Sequence, residues 1–412
     1  MSNDIDEKLC SPLFFAEGDY YGLFKQLRHN EPVRWTVGPN GHGFWSLFRH
    51  SDVKHVLNDP VLFSSEREGV MPLMDEQIDE VAKEAFGVGD NILTIDPPRH
   101  AEFRQAVAAP FVPRALQAAE RNTHALIKEI FDDLPDSGEC ELVEDLAARI
   151  PMAVICDLLK IPREDWDAML AWGRMAVGGT DPEFQQGSVA DTIREGFTRV
   201  RNRGKELALS RRGCPYSDPL TLLANANVGD RAMTDSEVAY NAQTLLLAGF
   251  ETTRNAFSGG VLALLENPAQ MQILRNDPKK IRLAVEEMVR WSDPVTSVMR
   301  VATADTKLGD KKISNNDRVV LWLASANRDE AAFDNPDKFD VTRHPNLHVG
   351  FGAGPHFCLG GPLAKDELRI ALEELLSRYD GIEIAGKVER VQSNFIGGIK
   401  RMPMRLRKRV AI

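Results

Sequence analysis

A single cysteine that could bind a metal lies in a glycine-rich stretch near the end of the chain. Residues 349–361 read VGFGAGPHFCLGG, and a helical pattern, LAKDELRIALEELLSRY, follows. Glycines let a backbone approach a flat partner closely, and the start of a helix stabilises a thiolate at Cys358. A lone thiolate suits one axial bond to a cofactor that brings its own remaining ligands, as haem does. The alternative is a buried structural cysteine.

A second group of reactive side chains interrupts a long apolar helix. The segment TDSEVAYNAQTLLLAGFETTRNAFSGGVLALLENP begins with Thr234 and Glu237 at capping-box spacing. Its middle is apolar on all faces and is therefore predicted to be buried, yet it contains Gly249, Glu251 and Thr252. Such groups are costly in a buried helix. Either the acid and the hydroxyl handle protons, or they form a kink whose polar groups satisfy each other.

Both segments resemble the haem-thiolate monooxygenases, the cytochromes P450. Phe351, Gly354, Cys358 and Gly360 match the pattern F-x-x-G-x-x-x-C-x-G, and AGFETT matches the oxygen-side motif of that family. The likeness extends from about residue 15 to the end of the chain. It implies an α+β fold, mainly α with small β-sheets, whose long central helix lies over haem b (iron protoporphyrin IX). It also implies that Cys358 is the iron ligand, that Phe351, Gly360 and Ala248 contact the cofactor, and that Glu251 and Thr252 are catalytic.

Four cationic or imidazole side chains match positions that bind the haem propionates in this family. His100 and Arg104 lie four residues apart, on one face of a predicted helix. Arg300 and His356 match two further positions. On spacing alone, His100 and Arg104 could also form an ordinary solvated face. Two carboxylates that enter a protein interior need such donors.

A buried ion-pair triad is predicted on the thiolate side of the cofactor. Glu287 and Arg290 lie three residues apart on a predicted helix and resemble the family's E-x-x-R pair, and Arg343 fits the third position. We assign this triad to structure, because it would hold the loop that carries Cys358.

The residues predicted to line the substrate pocket are all apolar or small. They belong to the stretches 61–95 and 165–200 and include Leu245, Ala248, Val295, Val298 and Ile396. They indicate a hydrophobic substrate, such as a terpenoid, a steroid, or an alkyl or aromatic compound, although each of them could simply be core. Arg67 and Lys83 could add charge near the entrance.

The predicted reaction inserts one oxygen atom of O2 into the substrate, and its electrons must come from a donor. No membrane anchor and no fused flavin or iron–sulfur segment is recognisable, so we expect a separate iron–sulfur ferredoxin with an NAD(P)H-dependent reductase. Lys365, Arg369, Arg99 and Arg104 would form a basic docking patch for it. Alternatives are a peroxide-driven peroxygenase and a non-catalytic haem protein such as a gas sensor. The Glu251–Thr252 pair argues against both.

Composition limits the classes of partner and the cellular compartment. The 412 residues carry 50 Lys and Arg against 61 Asp and Glu, a net charge of −11, which argues against a broad nucleic-acid-binding face. No apolar run reaches the length of a membrane span. The five cysteines are widely spaced, which argues against disulfides and structural zinc. We therefore expect a cytoplasmic protein with no nucleic-acid or membrane partner.

The elements that must position these groups are mostly helices. Periodicity predicts helices at 114–134, 141–159, 163–177, 188–210, 234–266, 278–292 and 362–378. Strands are expected in a small β lobe built from about 30–50, 295–325 and 380–410, in which the first and last strand regions meet. The whole chain, 1–412, is predicted to form a single domain.

Overall fold

The structure is a computed structural model that describes residues 2–39, 41–72, 76–108, 111–135, 137–216 and 218–409. Up to residue 210 the helices are α1 (Ser2–Cys10), α2 (Pro12–Glu17), α3 (Tyr20–Asn30), α4 (His50–Asn58), α5 (Glu76–Phe86), α6 (Arg99–Ala108), α7 (Pro113–Asp132), α8 (Arg149–Leu158), α9 (Trp166–Gly178) and α10 (Val189–Leu209). They continue as α11 (Pro219–Ala224), α12 (Asp235–Glu266), α13 (Pro268–Asn276), α14 (Ile281–Ser292), α15 (Leu323–Ala326) and α16 (Gly361–Arg378). The mainly helical fold with small sheets is confirmed.

Six of the seven predicted helices correspond to observed ones, and the helix predicted at 141–159 is interrupted. Residues Ser137–Glu141 form a strand and Leu142–Ala147 a π-helical turn, so that α8 begins only at Arg149. The carboxylate of Glu141 accepts hydrogen bonds from the N–H groups of Glu144 and Met402. Periodicity missed this break because the strand is stabilised by a partner from the distant end of the chain.

The strands are short and belong to separate sheets. They are β1 (Val33–Val37), β2 (Gly43–Leu47), β3 (Phe63–Ser64), β4 (Ser137–Glu141), β5 (Asn227–Val228), β6 (Arg231–Ala232), β7 (Ser297–Ala302), β8 (Thr306–Leu308), β9 (Lys311–Ile313), β10 (Arg318–Trp322), β11 (Tyr379–Ile384), β12 (Glu389–Arg390), β13 (Ile399–Arg401) and β14 (Pro403–Lys408). The largest sheet has the order β1-β2-β10-β7-β3, and a second has the order β11-β14-β4. The pairs β12-β13, β5-β6 and β8-β9 complete the set among the described residues.

The prediction that the first and last strand regions meet is wrong. β2 pairs in parallel with β10, with Trp45 opposite Val319, so 30–50 and 295–325 share one sheet. The last strand, β14, instead pairs with β11 on one side and with β4 on the other. Because no strand was predicted at 137–141, β4 was not available as a partner in the sequence-based prediction.

The helix α12 runs through the core and packs against α8, α10, α14 and α16. Its 32 residues span about 48 Å, and the capping box of Thr234 and Glu237 is present. Gly249 faces α8, where a Cβ atom would lie 2.9 Å from Cγ1 of Ile155. Glycine therefore allows the two helices to approach closely. Among the described helices, none is long and apolar enough to cross a membrane.

Candidate active site

Cys358 lies in a tight loop that leads directly into α16. The N–H of Cys358 donates to the carbonyl oxygen of Phe351 at 2.9 Å, and the helix begins three residues later. Gly354 has a φ of +67°, and a Cβ atom there would lie 2.5 Å from the carbonyl oxygen of Leu57. The glycine-rich sequence thus lets this loop pack against α4 while it presents the thiol.

The surroundings of Cys358 differ from those of other cysteines. Burial raises the pKa of the Cys358 thiol, but the N–H groups of Gly360 and Gly361, followed by the cations Arg104 and Lys365, act to lower it. Burial together with nearby carboxylates raises the pKa to about 12 at three other thiols, those of Cys10, Cys140 and Cys156. The donors and cations around Cys358 therefore stabilise a thiolate there in a way that the surroundings of those three thiols do not.

A deep cavity lies between Cys358 and the middle of α12. It is lined by every predicted cofactor-binding, substrate-binding and catalytic residue: His100, Arg104, Leu245, Ala248, Glu251, Thr252, Val295, Val298, Arg300, Phe351, His356, Cys358, Gly360 and Ile396. Val298 and Arg300 come from β7, where residues two apart point to the same face. The fold therefore brings these residues of distant sequence position together. Their individual roles remain predictions.

The two predicted substrate-side stretches also contribute to the wall of this cavity. From 61–95 come Val70, Phe86, Ile92 and Leu93, and from 165–200 come Val177 and Phe197. Residues 73–75 of the first stretch lie outside the described residues. The charged residues suggested for the entrance are not in the lining. Arg67 donates to the carbonyl oxygens of Ala302 and Thr303, and Lys83 pairs with Glu80 at 2.8 Å.

One edge of the cavity concentrates positive charge and unsatisfied imidazole nitrogens. The rings of His100 and His356 have centroids 4.2 Å apart, and the buried Nε2 atom of each has no hydrogen-bond partner among the described residues. Burial lowers the pKa of His100 to about 4 and that of His356 to about 2, and Arg104 and Arg300 add to these shifts. Burial also lowers the pKa of Arg300 to about 10. Such a cluster is suited to a ligand with carboxylate groups.

The middle of α12 carries the predicted acid and hydroxyl. Oγ1 of Thr252 donates to the carbonyl oxygen of Ala248 at 3.0 Å. Oε2 of Glu251 lies 2.8 Å from Nη2 of Arg254, and the buried Oε1 atom has no partner in the described part of the chain. The sequence analysis did not identify Arg254, although Glu251 and Arg254 have the same i, i+3 spacing as the predicted pair on α14, Glu287 and Arg290.

The predicted triad forms on the thiolate side. Oε2 of Glu287 lies 2.7 Å from Nε of Arg290 and 3.1 Å from Nε of Arg343, and neither Glu287 nor Arg290 has exposed surface. Arg290 also donates to the carbonyl oxygens of Asn327 and Pro336. The triad therefore fastens the segment before the cysteine loop to α14.

Three of the four cations in the predicted basic docking patch are paired with carboxylates, whereas Arg104 donates to the carbonyl oxygen of Pro355 and lines the cavity. Lys365 pairs with Glu286 at 2.7 Å and Arg99 with Glu66 at 2.8 Å. The side chain of Arg369 is 10% exposed and contacts three carboxylates, those of Glu120, Asp366 and Glu373. Sequence reasoning missed these pairs because most of the partners lie far away in the chain.

Other polar cavity residues were also missed. Gln243 and Thr244 line the cavity from α12, and Glu367 lines it from α16. Burial raises the pKa of Glu367 well above its usual value, and its buried Oε2 atom has no partner among the described residues. Helical spacing from Ala248 would have identified Thr244, whereas nothing local marks Gln243 or Glu367.

Comparison with known proteins identifies relatives along nearly the whole chain. The family model described as "Cytochrome P450" matches residues 199–395. Linalool 8-monooxygenase of Pseudomonas putida is 35% identical, over 96% of this chain and 97% of the relative. The crystal structure of CYP108D1 from Novosphingobium aromaticivorans has a TM-score of 0.89 at 29% identity, covering 98% of both chains. Mycobacterium marinum cytochrome P450 CYP268A2 in complex with pseudoionone also has a TM-score of 0.89, at 34% identity over 95% of this chain and 96% of the other.

Proposed function

Because the chain belongs to the cytochrome P450 family, we propose that this monooxygenase uses haem b to hydroxylate an apolar small molecule. The observation that carries the proposal is one cavity with three parts. The thiol of Cys358 lies on one side, Glu251 and Thr252 lie on the opposite helix, and the cluster around His100 and Arg300 lies at an edge.

The residues around the cavity fit this cofactor. Cys358 would supply the axial thiolate, and the carboxylate-binding cluster of His100, Arg104, Arg300 and His356 would hold the two propionates. The unsatisfied Nε2 atoms of both histidines support this assignment, since buried donors need partners. When bound, haem supplies the activation of O2 and the oxidation of a substrate C–H bond.

The chain's own groups provide proton transfer and exclusion of water. Glu251 is 3% exposed and holds one carboxylate oxygen that no described residue pairs with, so it can take up and pass on a proton within the cavity wall. Thr252, the next residue, also lines the cavity and carries a hydroxyl. Apolar side chains line the same cavity and keep bulk water away from Glu251 and Thr252. They are Val177 on α9, Phe197 on α10, and Phe395 and Ile396.

We propose a terpenoid, steroid, or alkyl or aromatic compound as the substrate. Leu245, Val295, Val298 and Ile396 offer dispersion contacts and no charge. A relative is a linalool 8-monooxygenase and a neighbouring structure binds pseudoionone, which supports a terpenoid-sized apolar ligand. We further propose that electrons come from a separate ferredoxin with its NAD(P)H-dependent reductase, as the resemblance of the sequence to this family implies.

The test is the spectrum of the reduced carbonyl complex in matched cysteine variants. Cys358→Ser should lose the thiolate-type Soret band, whereas Cys156→Ser, at a buried cysteine outside the cavity lining, should keep it. Product formation from NAD(P)H and O2 with a reconstituted ferredoxin system completes the test. A thiolate band that survives Cys358→Ser, or a protein that binds no haem, contradicts the proposal.

A further inference from the structure

Gln243 lines the cavity and carries a hydrogen-bond acceptor that no described residue satisfies. Its side chain is 1% exposed, and Nε2 donates to the carbonyl oxygen of Ala85 at 2.8 Å. This bond fixes the orientation of the amide, because the reverse orientation would place two oxygens against each other. Oε1 is consequently held in place, buried and without a partner in the described part of the chain.

Other polar side chains in this region have hydrogen-bond partners, so the Oε1 atom of Gln243 does not reflect a general lack of partners there. Asn91 donates to Oγ1 of Thr244 at 2.6 Å, and Oδ1 of Asn241 accepts the N–H of Ile92 at 3.1 Å. Asn241 also donates to the carbonyl oxygen of Asp90. The neighbouring amides between α12 and residues 84–92 are paired, whereas Oε1 of Gln243, on a residue that lines the cavity, has no partner among the described residues.

The walls around this acceptor are apolar. Phe86 and Phe197 have ring centroids 4.9 Å apart, and both line the cavity together with Leu247 and Gln243. A hydrocarbon that displaces water here would leave Oε1 of Gln243 unpaired, which is unfavourable. A ligand with a hydrogen-bond donor avoids that loss, and sites built in this way reject analogues without the donor.

We propose that Gln243 binds a hydroxyl group of the substrate, so that the substrate is an alcohol with an apolar skeleton; this inference rests on the proposed function. A carboxylate or a ketone lacks the donor, and an ammonium group would lose its hydration among the aromatic rings. Gln243 lies nine residues before Thr252, about 13 Å along the axis of α12. The hydroxyl is therefore held away from the catalytic groups, and oxidation occurs at a carbon remote from it.

The experiment compares alcohols with hydrocarbons of the same skeleton. Dissociation constants are measured from the spin-state shift of the haem-loaded protein for linalool and dihydromyrcene, and for monocyclic terpene, fatty and sterol alcohols with their deoxy partners. In the wild-type protein, at least one alcohol should bind about tenfold more tightly than its partner. In Gln243→Met, which keeps the size of the side chain, that preference should fall to within about twofold while the hydrocarbon binds as before.

Tyr240→Phe is the matched control, because the hydroxyl of Tyr240 donates to the carbonyl oxygen of Glu84 and does not line the cavity. It removes another bond between α12 and the same segment and should keep the preference for the alcohol. A wild-type protein without any such preference, or a Gln243→Met variant that retains it, overturns the inference and leaves the proposed function standing. Absence of a thiolate-type spectrum, or of a spin-state shift with every compound, overturns both.

Discussion

Nη2 of Arg254 lies 2.8 Å from Oε2 of Glu251, one turn earlier on α12, and the two side chains are 2% and 5% exposed. A buried carboxylate needs a countercharge or a proton. The Arg254 guanidinium therefore supplies the countercharge beside Glu251 inside an apolar helix, while Oε1 of Glu251 has no partner among the described residues. This pair, rather than Glu251 alone, is the unit through which we expect protons to pass.

Arg254→Met should impair both stability and turnover. It leaves the Glu251 carboxylate buried without a partner, at a cost of about 3–5 kcal/mol, and slows proton transfer about tenfold to a hundredfold. The measurements are thermal unfolding and turnover with its solvent deuterium isotope effect. The double variant Glu251→Gln/Arg254→Met should regain stability without regaining turnover. Wild-type turnover in Arg254→Met would show that the pair has no part in proton transfer.

Thr252→Ala should uncouple electron consumption from product formation. Haem content and substrate binding should stay as in the wild type, while most reducing equivalents leave as hydrogen peroxide because the hydroxyl that assists oxygen activation is missing. Product and peroxide are measured per NAD(P)H consumed. Thr253→Ala is the matched control, since Thr253 bonds back to Gly249 in the same manner. Equal coupling in the two variants would refute the assignment.

Glu287→Gln should destabilise the cysteine loop. Removal of this charge leaves Arg290 fully buried without its partner and weakens the bond to Arg343, at a cost of about 3–5 kcal/mol. We expect faster haem loss and a lower unfolding temperature. Glu383→Gln, at an exposed position on β11, should change stability by about 0.5 kcal/mol or less. Similar haem retention in both variants would contradict the structural role.

Substitution of Lys365 and substitution of Glu286 should have opposite effects on the rate at which an acidic ferredoxin reduces the haem. Because they neutralise each other at 2.7 Å, Lys365→Ala exposes a negative charge and Glu286→Gln exposes a positive one. The first should slow reduction and the second accelerate it, each by a few-fold at low ionic strength, and salt should diminish both effects. The rates of haem reduction at low and high salt are measured by stopped-flow spectroscopy. Changes in the same direction would place the docking surface elsewhere.

Stability should depend on pH through Asp293. Burial raises the pKa of this carboxyl from 3.8 to about 7, although Arg328, Asn327, Tyr21 and Arg290 act to lower it. The folded chain therefore binds this proton more tightly than the unfolded chain. That contribution is complete below about pH 4 and is lost as the pH rises through 7, by up to about 4 kcal/mol. Asp293→Asn should flatten this decline in urea unfolding curves between pH 4 and 7, and an unchanged slope would exclude Asp293 as its cause.

The sequence by itself determined the parts of the site that are contiguous in the chain. The loop around Cys358, the start of α16 and the polar interruption of α12 are local patterns, because glycine conformation, helix capping and helical periodicity depend on neighbours a few residues away. The family resemblance rests on the same local patterns. Cavity residues such as Val298 and Ile396 were located only through that resemblance.

Only the tertiary structure decided which distant residues meet and how they share charge. It paired β4 with β14, joined Lys365 to Glu286, and left Oε1 of Gln243 without a partner among the described residues. Strand pairing, ion pairing and desolvation depend on separation in space, which periodicity does not encode. The same side chain can therefore be a free cation or a neutralised one, and a core amide or a ligand-binding group, according to what the fold places beside it.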